Sequence, residues 1–322
     1  MRSTILSMLQ RSDKHLSGEI ISEKLGITRS AVWKHIKSLK NEGYEIDSVR
    51  NRGYKLISAP SLLNEDKLRK LCNTSLIGKE IKVLKTVDST NEEIKRLARS
   101  GAENGLVVAA ECQSAGKGRF SRQWSSGVDG GLYFSVLLRP ELPPSDIAAV
   151  TLAVGYAVCL AIIDYTKLPA QIKWPNDIII GRKKVCGILT EMAAQSDRVD
   201  HLIIGIGINV NNPSFSAELK EKATSLFLES GSRLDRNAFL ACVLNHLDTA
   251  LQNYFLSLSI DGIEHFKSLC ATLERQVTVQ RGGQQITGTA FDVSPSGELL
   301  IRTAEGQEIA VNSGEVTVQG IY

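Results

Sequence analysis

The stretch Gly116-Lys117-Gly118-Arg119-Phe120-Ser121-Arg122-Gln123-Trp124 carries the strongest signal for fold and function in this chain. Its two glycines let the backbone approach a ligand closely and expose N–H groups. Lys117, Arg119 and Arg122 place three positive charges within six residues, which suits phosphate or carboxylate oxygens. Trp124 adds a flat apolar wall at the end. By itself such a loop is more often a solvated basic surface, so its meaning depends on its surroundings.

Four further motifs accompany this loop. Asp88–Asn91 (DSTN) follows a strand-like segment and opens a helix, where its side chains can cap the helix or bind a polar ligand. Lys173–Asp177 (KWPND) precedes a strand, and Lys183–Leu189 (KKVCGIL) places a lysine just before a buried strand. Gly205–Asn211 (GIGINVN) closes another strand with two glycines and two asparagines.

Helical and strand-like segments alternate around these motifs. Apolar periodicity predicts helices and strands for the following ranges: strands 81–87, 106–110, 132–138, 178–180, 185–192 and 201–210, and helices 91–100, 147–165 and 236–255. Helices do not follow each strand regularly, so we predict one mixed α+β domain rather than a parallel nucleotide-binding sheet. The apolar run from Ile147 is broken by Asp164, Tyr165 and Lys167, short of a membrane span.

The N-terminal segment predicts a helix-turn-helix. A helix is expected over residues 4–16, followed by a second over 18–25 that Ser17 can cap and Gly26 can end. Thr28 can cap a third, over 29–40, with one buried stripe formed by Val32, Ile36 and Leu39. Two strands, 44–49 and 54–57, would form a wing after it.

Charge separates this segment from the rest of the chain. The net charge is +3, but the first 57 residues hold eleven basic and six acidic residues, a net +5, which leaves −2 for the remaining 265. A basic end on a nearly neutral body is typical of a polyanion-binding module. The predicted DNA-binding residues are Arg29, Ser30, Trp33, Lys34 and Lys37 on the third helix, with Arg50 and Arg52 on the wing. The alternatives are a helical packing domain with solvated lysines and a helix-turn-helix that has lost DNA binding.

The cysteines and the termini bear on the cellular compartment. Six cysteines are scattered without Cys-x-x-Cys spacing, and no Cys/His cluster has zinc-ligand spacing, so no metal site is predicted. No signal peptide is visible, and reduced thiols in a cytoplasmic protein are expected. Cys186 is interpreted as a packing residue.

From Thr272 onward the pattern changes to short alternating runs separated by glycine-containing breaks. Strands are predicted over 276–280, 287–293, 299–302, 307–311 and 315–318. About fifty residues of this kind suit a small barrel.

In their order, the five motifs DSTN, ECQSAGKGR…W, KWPND, KKVCGIL and GIGINVN resemble those of the biotin–protein ligases, and the match covers essentially the whole chain. The helix-turn-helix in front resembles the bifunctional subgroup, which also represses biotin genes. The resemblance implies a winged helix-turn-helix over 1–60, a biotin/lipoate-ligase-like catalytic domain over 64–271 and an SH3-like barrel over 272–322.

The resemblance also implies the reaction and the partners. Biotin would react with ATP, bound with Mg²⁺, to give biotinyl-5′-AMP and pyrophosphate. The biotinyl group would then pass to a lysine of a biotin carboxyl carrier protein. The adenylate-bound form would dimerise, with strand 185–192 as a candidate edge, and bind operator DNA of biotin genes. No membrane partner is implied. The alternatives are a lipoate-type ligase and a ligand-sensing transcription factor without ligase activity.

Site roles follow from the same resemblance. Lys184 and Arg119 are the catalytic candidates: Lys184 would act electrostatically at the biotin carboxyl end, and Arg119 would hold the adenylate. Substrate-binding positions are Ser89, Thr90, Asn91, Gln113, Gly116, Lys117, Gly118, Arg119, Arg122, Trp124, Lys173, Asn176, Asp177, Lys184, Gly187 and Asn209. Among them, Trp124 would pack against adenine and Lys173 would meet phosphate.

Several of these assignments have simpler alternatives. Asn176-Asp177 suits a turn after Pro175, and Asn209 suits a strand cap. Of the adjacent lysines only one can face a site within a strand, and the resemblance selects Lys184 over Lys183. Phe120-Ser121 replaces the commoner arginine–glycine pair, which makes the loop less permissive.

Overall fold

The computed structural model describes residues 1–41, 44–49, 52–58, 62–126, 130–147, 149–194, 198–281 and 283–322. The chain divides into two compact units, a smaller one of Met1–Leu62 with Val128–Gly130 and a larger one of Leu63–Gly127 with Gly131–Tyr322. The overall class is mixed α+β, as predicted.

The smaller unit has the order helix, helix, helix and hairpin. Its elements are α1 (Arg2–Gln10), α2 (Gly18–Leu25), α3 (Arg29–Asn41), β1 (Glu45–Val49) and β2 (Gly53–Ser58). Ser17 accepts a hydrogen bond from the N–H of Ile20, and Gly26 ends α2 at φ +62°. Thr28 Oγ1 accepts from the N–H of Ala31. The predicted helix-turn-helix is therefore confirmed, although α1 ends several residues earlier than residue 16.

A single apolar stripe holds α3 in this unit. Val32, Ile36 and Leu39 are each no more than 2% exposed and pack with Ile5 and Ile21. The antiparallel pair β1–β2 follows in the place predicted for the wing. Arg50, a predicted wing contact, lies outside the described residues.

The larger unit is built on a seven-stranded sheet. Its strands are β3 (Ile81–Leu84), β4 (Val107–Ala110), β5 (Leu132–Leu138), β6 (Ala170–Lys173), β7 (Asp177–Ile180), β8 (Lys183–Ala194) and β9 (Val199–Ile208). The strand order is β3-β4-β5-β9-β8-β7-β6, and only the β3–β4 pair among these is parallel. A largely antiparallel sheet agrees with the predicted mixed domain.

Helices cover both faces of this sheet. They are α4 (Glu65–Leu71), α5 (Thr90–Arg99), α6 (Val150–Thr166), α7 (Leu226–Ser230), α8 (Arg236–Ser257) and α9 (Ile263–Leu269). Alternate residues of β4 divide between the faces: Val107 and Ala109 join the main core with α6 and α8, whereas Val108 joins α5. Both faces are therefore closed by helices, which leaves the strand ends for a site.

The most apolar segment is a core helix. Pro144–Thr166 is long and apolar enough to cross a membrane, but its most apolar 18-residue window, with a mean hydropathy of 2.2, is 71% buried inside the protein. Ten residues of α6 are buried, and α6 packs along α8. The apolar composition of α6 is therefore explained by its place in the core.

A second sheet of five strands completes the larger unit. Its strands are β10 (Arg275–Arg281), β11 (Gln284–Val293), β12 (Leu299–Arg302), β13 (Glu308–Val311) and β14 (Glu315–Val318), in the order β13-β12-β11-β10-β14. The fully buried Trp174 joins it to the first sheet: its Nε1–H donates to the carbonyl of Gly297, and its backbone N–H donates to Thr272 Oγ1.

Two buried acidic residues fix parts of the larger unit that sequence patterns do not reveal. Glu111 pairs with Arg236 at 2.6 Å and accepts the N–H of Leu63. Asp248 accepts the backbone N–H groups of the turn before β3 at residues 75–77. A buried carboxylate with several donors costs little to keep charged, so these contacts hold the chain together rather than form a site.

Candidate active site

A cleft opens beside the first half of β8 and the last part of β9. Residues from α5, the basic loop and three strands or strand ends line it: Ser89, Thr90, Asn91, Gln113, Lys117, Gly118, Arg119, Trp124, Asn176, Lys184, Gly187, Ile188, Leu189, Gly205, Ile206 and Gly207. The structure thus brings together residues from all five motifs.

We call Ser89, Thr90, Asn91, Gln113 and Ser135 the neutral end of the cleft. Gln113 Oε1 accepts hydrogen bonds from the N–H of Thr90 at 2.8 Å and from its hydroxyl at 3.2 Å. The fully buried Ser135 on β5 lies 2.7 Å from Thr90 Oγ1 and 2.5 Å from Asn91 Oδ1. These side chains are therefore oriented by neutral hydrogen bonds to one another.

The two ends of the Asn91 amide are both bonded within the protein. Ser135 donates to Oδ1, and Nδ2 donates to Glu191 Oε2 at 2.7 Å. Glu191 also pairs with Lys95 at 2.7 Å. Asn91 consequently holds its neighbours in place, while Ser89, at the N-cap of α5 and without a side-chain cap bond, keeps its hydroxyl for the cleft.

Ion pairs and a short turn shape the basic loop. Lys117 pairs with Glu92 of α5 at 2.7 Å, and Arg122 pairs with Glu315 of β14. The N–H of Gly118 donates to the carbonyl of Arg122 and that of Trp124 to the carbonyl of Gly116, so these two N–H groups are used inside the loop.

Phe120 and Ser121 adopt left-handed backbone conformations, with φ of 54° and 58°. A left-handed residue other than glycine costs about 1–2 kcal/mol. Ser121 stands where the family pattern has glycine, so the departure noted in the sequence falls on a strained position.

We call Arg119, Lys173, Asn176, Asp177 and Lys184 the charged end. Asp177 Oδ1 pairs with Lys184 Nζ at 2.6 Å. Arg119 donates to Asn176 Oδ1 at 2.7 Å and to the carbonyl of Gly314 at 3.1 Å. Three cations thus surround one carboxylate, an arrangement suited to a multiply charged anion.

Tyr322, which follows β14, reaches into the charged end. Its hydroxyl donates to Asp177 Oδ2, and its ring lies 4.4 Å from Lys173 Nζ. Burial and the nearby Asp177 raise the pKa of this phenol. Burial lowers the pKa of Lys173, and it also lowers that of Arg119.

A register shift follows the two adjacent lysines, which themselves pair in unbroken register with Ile180 and Ile179. Ile178 pairs with Cys186 whereas Ile179 pairs with Lys184, so β8 carries an extra residue, Val185, beside the cleft. Lys184 faces the cleft, and Lys183 donates instead to the carbonyl of Lys220.

Trp124 lies across the floor of the cleft. A Cβ added to Gly207 would stand 2.5 Å from its ring, and one added to Gly187 would stand 2.8 Å from it. The indole therefore needs glycine at both strand positions. Lys184 Nζ lies 5.4 Å from the ring centroid, and the indole Nε1 is buried without a partner among the described residues.

Some predicted positions lie outside the cleft lining. These are Gly116, Arg122, Lys173, Asp177 and Asn209. Lys173 and Asp177 stand directly behind it, whereas Asn209 is buried and donates to the carbonyl of Thr224. Cys186 is fully buried, and burial raises its pKa, as fits a packing thiol.

Sequence reasoning missed Ser135, Glu191 and Tyr322. Ser135 sits in an otherwise apolar strand, and a lone serine there was its only signal. Tyr322 lies outside every recognised motif, so only the folded chain brings it to Asp177.

The DNA-binding candidates form an exposed surface of the smaller unit. Arg29, Ser30, Lys34 and Lys37 are exposed along α3, and Trp33 is 53% exposed, with Lys37 Nζ 5.2 Å from its ring centroid. Exposed Arg52 lies just before β2.

Known proteins share this arrangement. Three family descriptions match: HTH domain over residues 2–55, biotin/lipoate A/B protein ligase family over residues 83–209, and biotin protein ligase C-terminal domain over residues 272–318. The bifunctional ligase/repressor BirA of Bacillus subtilis (strain 168) is 38% identical, with 95% of this chain and 96% of that protein covered. The protein of the same name from Escherichia coli (strain K12) is 29% identical over 97% of both chains.

Solved structures give the same relationship. The biotin protein ligase from Aquifex aeolicus in complex with biotin and ATP has a TM-score of 0.66 and 33% identity, covering 75% of this chain and 99% of that one.

Proposed function

Because the chain belongs to the biotin protein ligase family, in the group of bifunctional ligase/repressors, we propose that its cleft joins biotin to ATP and then biotinylates a carrier protein. The observation that carries this function is the meeting, in one cleft, of a neutral hydrogen-bonded end and an end with two cations, Arg119 and Lys184, and a third, Lys173, directly behind them. The protein is thus a biotin–[biotin carboxyl-carrier protein] ligase and a helix-turn-helix repressor.

The neutral end suits the ureido ring of biotin. Ser89 and Thr90 supply hydroxyls and Gln113 supplies an amide, and a buried urea group requires both donors and acceptors. Asn91 and Ser135 hold these groups in their orientation. The apolar lining of Ile188, Leu189 and Ile206 suits the rest of the biotin molecule, and Trp124 is assigned to adenine.

The charged end suits the first half-reaction. A carboxylate oxygen of biotin attacks the α-phosphorus of ATP, the new O–P bond forms, and pyrophosphate leaves with the electrons of the broken bond. Two anions must meet, so Lys184 and Arg119 offset the charge that develops, while Lys173 faces the phosphates. ATP would carry Mg²⁺ as part of the substrate, and the metal would offset part of the triphosphate charge.

The second half-reaction needs the same cations. The neutral amine of an acceptor lysine attacks the acyl carbon of biotinyl-5′-AMP, an amide forms, and AMP leaves as an anion. Lys184 is placed to stabilise that leaving phosphate. The basic loop, tied through Lys117 and Arg122 to acidic residues, must exchange these partners for adenylate oxygens, and in doing so it would shield the labile anhydride from water.

The exposed cations of α3 suit phosphate and base contacts in the major groove. Two copies of this helix are needed to bind a two-fold operator. We propose a homodimer in the adenylate-bound state, formed at the edge of β8. Strand β7 pairs with β8 only as far as Gly187, and in the part of the chain that the structure describes Leu189–Ala194 has a strand partner on one side only.

The C-terminal sheet and the cellular location complete the proposal. The order β13-β12-β11-β10-β14 suits an SH3-like barrel. Operator DNA, ATP and carrier protein occur together in the cytoplasm, where we place the activity.

Biotin-dependent exchange of radiolabelled pyrophosphate into ATP tests the ligase function. We expect exchange with biotin, ATP and Mg²⁺, and much less with lipoate in place of biotin. Failure of exchange with biotin would leave a ligand-sensing transcription factor, and preference for lipoate would indicate the lipoate-type ligase.

Gel-shift titration with biotinyl-5′-AMP tests the repressor function. Affinity for biotin-operon DNA should fall steeply with salt, because lysines and arginines that bind phosphates release counterions from the DNA. Replacing Lys34 and Lys37 by glutamine should reduce that slope, and unchanged binding would identify a helix-turn-helix without a DNA-binding role.

A further inference from the structure

Tyr322 connects the C-terminal sheet to the carboxylate that holds the catalytic lysine. Its hydroxyl donates to Asp177 Oδ2 while Lys184 pairs with Oδ1 of the same carboxylate. Its backbone N–H donates to the carbonyl of Arg182, in the turn between β7 and β8. Both contacts tie this residue to the β7–β8 hairpin.

The tyrosine ring also faces the second lysine. Lys173 Nζ lies 4.4 Å from the ring centroid and 3.3 Å from the hydroxyl oxygen. Lys173 is only 8% exposed, so little water reaches its ammonium group. The Tyr322 ring and the Asp177 carboxylate take the place of that water around the charge. A single aromatic side chain thus contacts both Lys173 and the carboxylate that holds Lys184.

We propose that Tyr322 is a positioning residue for the adenylation step: its hydroxyl holds the Asp177 carboxylate in the rotamer that keeps Lys184 Nζ at the cleft. An aspartate can rotate about χ2. Lys184 and the Asn176 amide, at 3.2 Å, both contact Oδ1, and contacts at one oxygen alone do not stop this rotation. A second donor on the other oxygen does stop it. Tyr322 does not touch the predicted substrate positions of the neutral end, so it acts on the rate of adenylation and not on biotin binding.

This inference rests on the proposed function, and Tyr322→Phe tests it. Phenylalanine keeps the ring over Lys173 and removes only the hydroxyl. Hydrogen bonds to charged groups are stronger than those between neutral groups, so we expect kcat for biotin-dependent pyrophosphate exchange to fall by about tenfold or more. The dissociation constant for biotin should stay within about twofold.

Tyr156→Phe is the matched control. It removes a tyrosine hydroxyl bonded to His265 Nδ1 at 2.8 Å, on α6 and away from the cleft. The Tyr322 hydroxyl makes two contacts, since it donates to Asp177 and accepts from Lys173 Nζ. Exchange should be unchanged in Tyr156→Phe. An exchange rate of Tyr322→Phe equal to or above that of the unsubstituted protein overturns the proposal, and a rise would identify the tyrosine as a plug of the phosphate site.

A double-mutant cycle with Asp177→Asn separates positioning from general packing. The neutral amide removes the charge that strengthens the bond, so Tyr322→Phe should cost only about twofold in this background. An undiminished effect of Tyr322→Phe in the Asp177→Asn background would show that the hydroxyl acts elsewhere and would overturn the proposal.

The same cycle is measured on the equilibrium constant for urea unfolding without substrates. We expect about fivefold non-additivity between the two substitutions. If the free-energy changes of the two substitutions simply add, the Tyr322–Asp177 bond is refuted. This conclusion does not depend on whether the unsubstituted protein shows pyrophosphate exchange. Absence of exchange in the unsubstituted protein, with coupling intact, would instead count against the proposed function alone.

Discussion

The two ends of the cleft are organised in opposite ways. At the neutral end, Thr90, Asn91, Gln113 and Ser135 bond to one another through uncharged groups. At the charged end, Lys184 and its neighbours are held by Asp177, a charge of the opposite sign. A neutral ligand can bind to a prearranged set of dipoles, whereas a triphosphate must take over cations that already have partners.

This difference predicts separate consequences for substitutions at the two ends. Loss of a cation should reduce the rate, because charge develops only as the α-phosphate is attacked. Loss of a neutral hydrogen bond should reduce biotin affinity, because it acts equally on bound substrate and transition state.

The largest expected effect is at the charged end. Lys184→Gln should lower kcat for pyrophosphate exchange by about 10²–10³-fold, the usual cost of removing one oriented charge stabiliser. Biotin affinity should change much less. Lys183→Gln is the control, since that side chain bonds the carbonyl of Lys220 outside the cleft. Equal losses in the two variants would contradict the assignment of Lys184.

An intermediate effect is expected at the neutral end. Ser135→Ala removes the donor to Asn91 Oδ1 and the close neighbour of the Thr90 hydroxyl, and it should weaken biotin binding about tenfold, or roughly 1.4 kcal/mol, measured by isothermal titration calorimetry. The value of kcat should stay within about threefold. Ser145→Ala, at an exposed position, controls for loss of a serine hydroxyl. A fall in kcat without a change in biotin affinity would contradict the assignment of biotin binding to the neutral end and of rate to the charged end.

The smallest effect concerns pH. Burial lowers the pKa of Lys173 below the ordinary value of 10.5, so its proton is lost at a lower pH than from a solvated lysine. The value of kcat/KM for ATP should therefore decline on the alkaline side below pH 10.5. Arginine stays charged there, so Lys173→Arg should move the decline to higher pH and raise kcat/KM about threefold relative to the unsubstituted protein on the alkaline side.

Lys183→Arg serves as the control for this profile, because Lys183 lies outside the cleft. An alkaline limb that stays in place in Lys173→Arg would assign the titration to another group.

Local sequence signals determined much of the fold. Ser17, Gly26 and Thr28 marked the ends of the recognition helices through cap chemistry, and Val32, Ile36 and Leu39 marked the buried stripe of α3. These signals are local because a cap involves residues within one turn and a stripe has a fixed period. Strands 132–138, 299–302 and 315–318 were predicted with their observed bounds for the same reason.

Short or atypical elements were not predicted. Helices α4 and α9 have seven residues each, too few for a helical period to stand out. Strand β6 was missed because it runs directly into the KWPND motif, without a turn signal between them. The lengths of α1 and β3 were overestimated, because tertiary contacts decide where a strand or a fraying helix ends.

The order of the five motifs was enough to predict the family, the reaction and most residues that line the cleft, because the functional side chains of each motif lie within a few consecutive positions. Only the tertiary structure decided which groups orient them. Ser135 is 44 residues from Asn91, and Tyr322 is 145 residues from Asp177. No local pattern records such a pair, because a hydrogen bond between distant residues depends on strand order and register, and these are set by the packing of the whole unit.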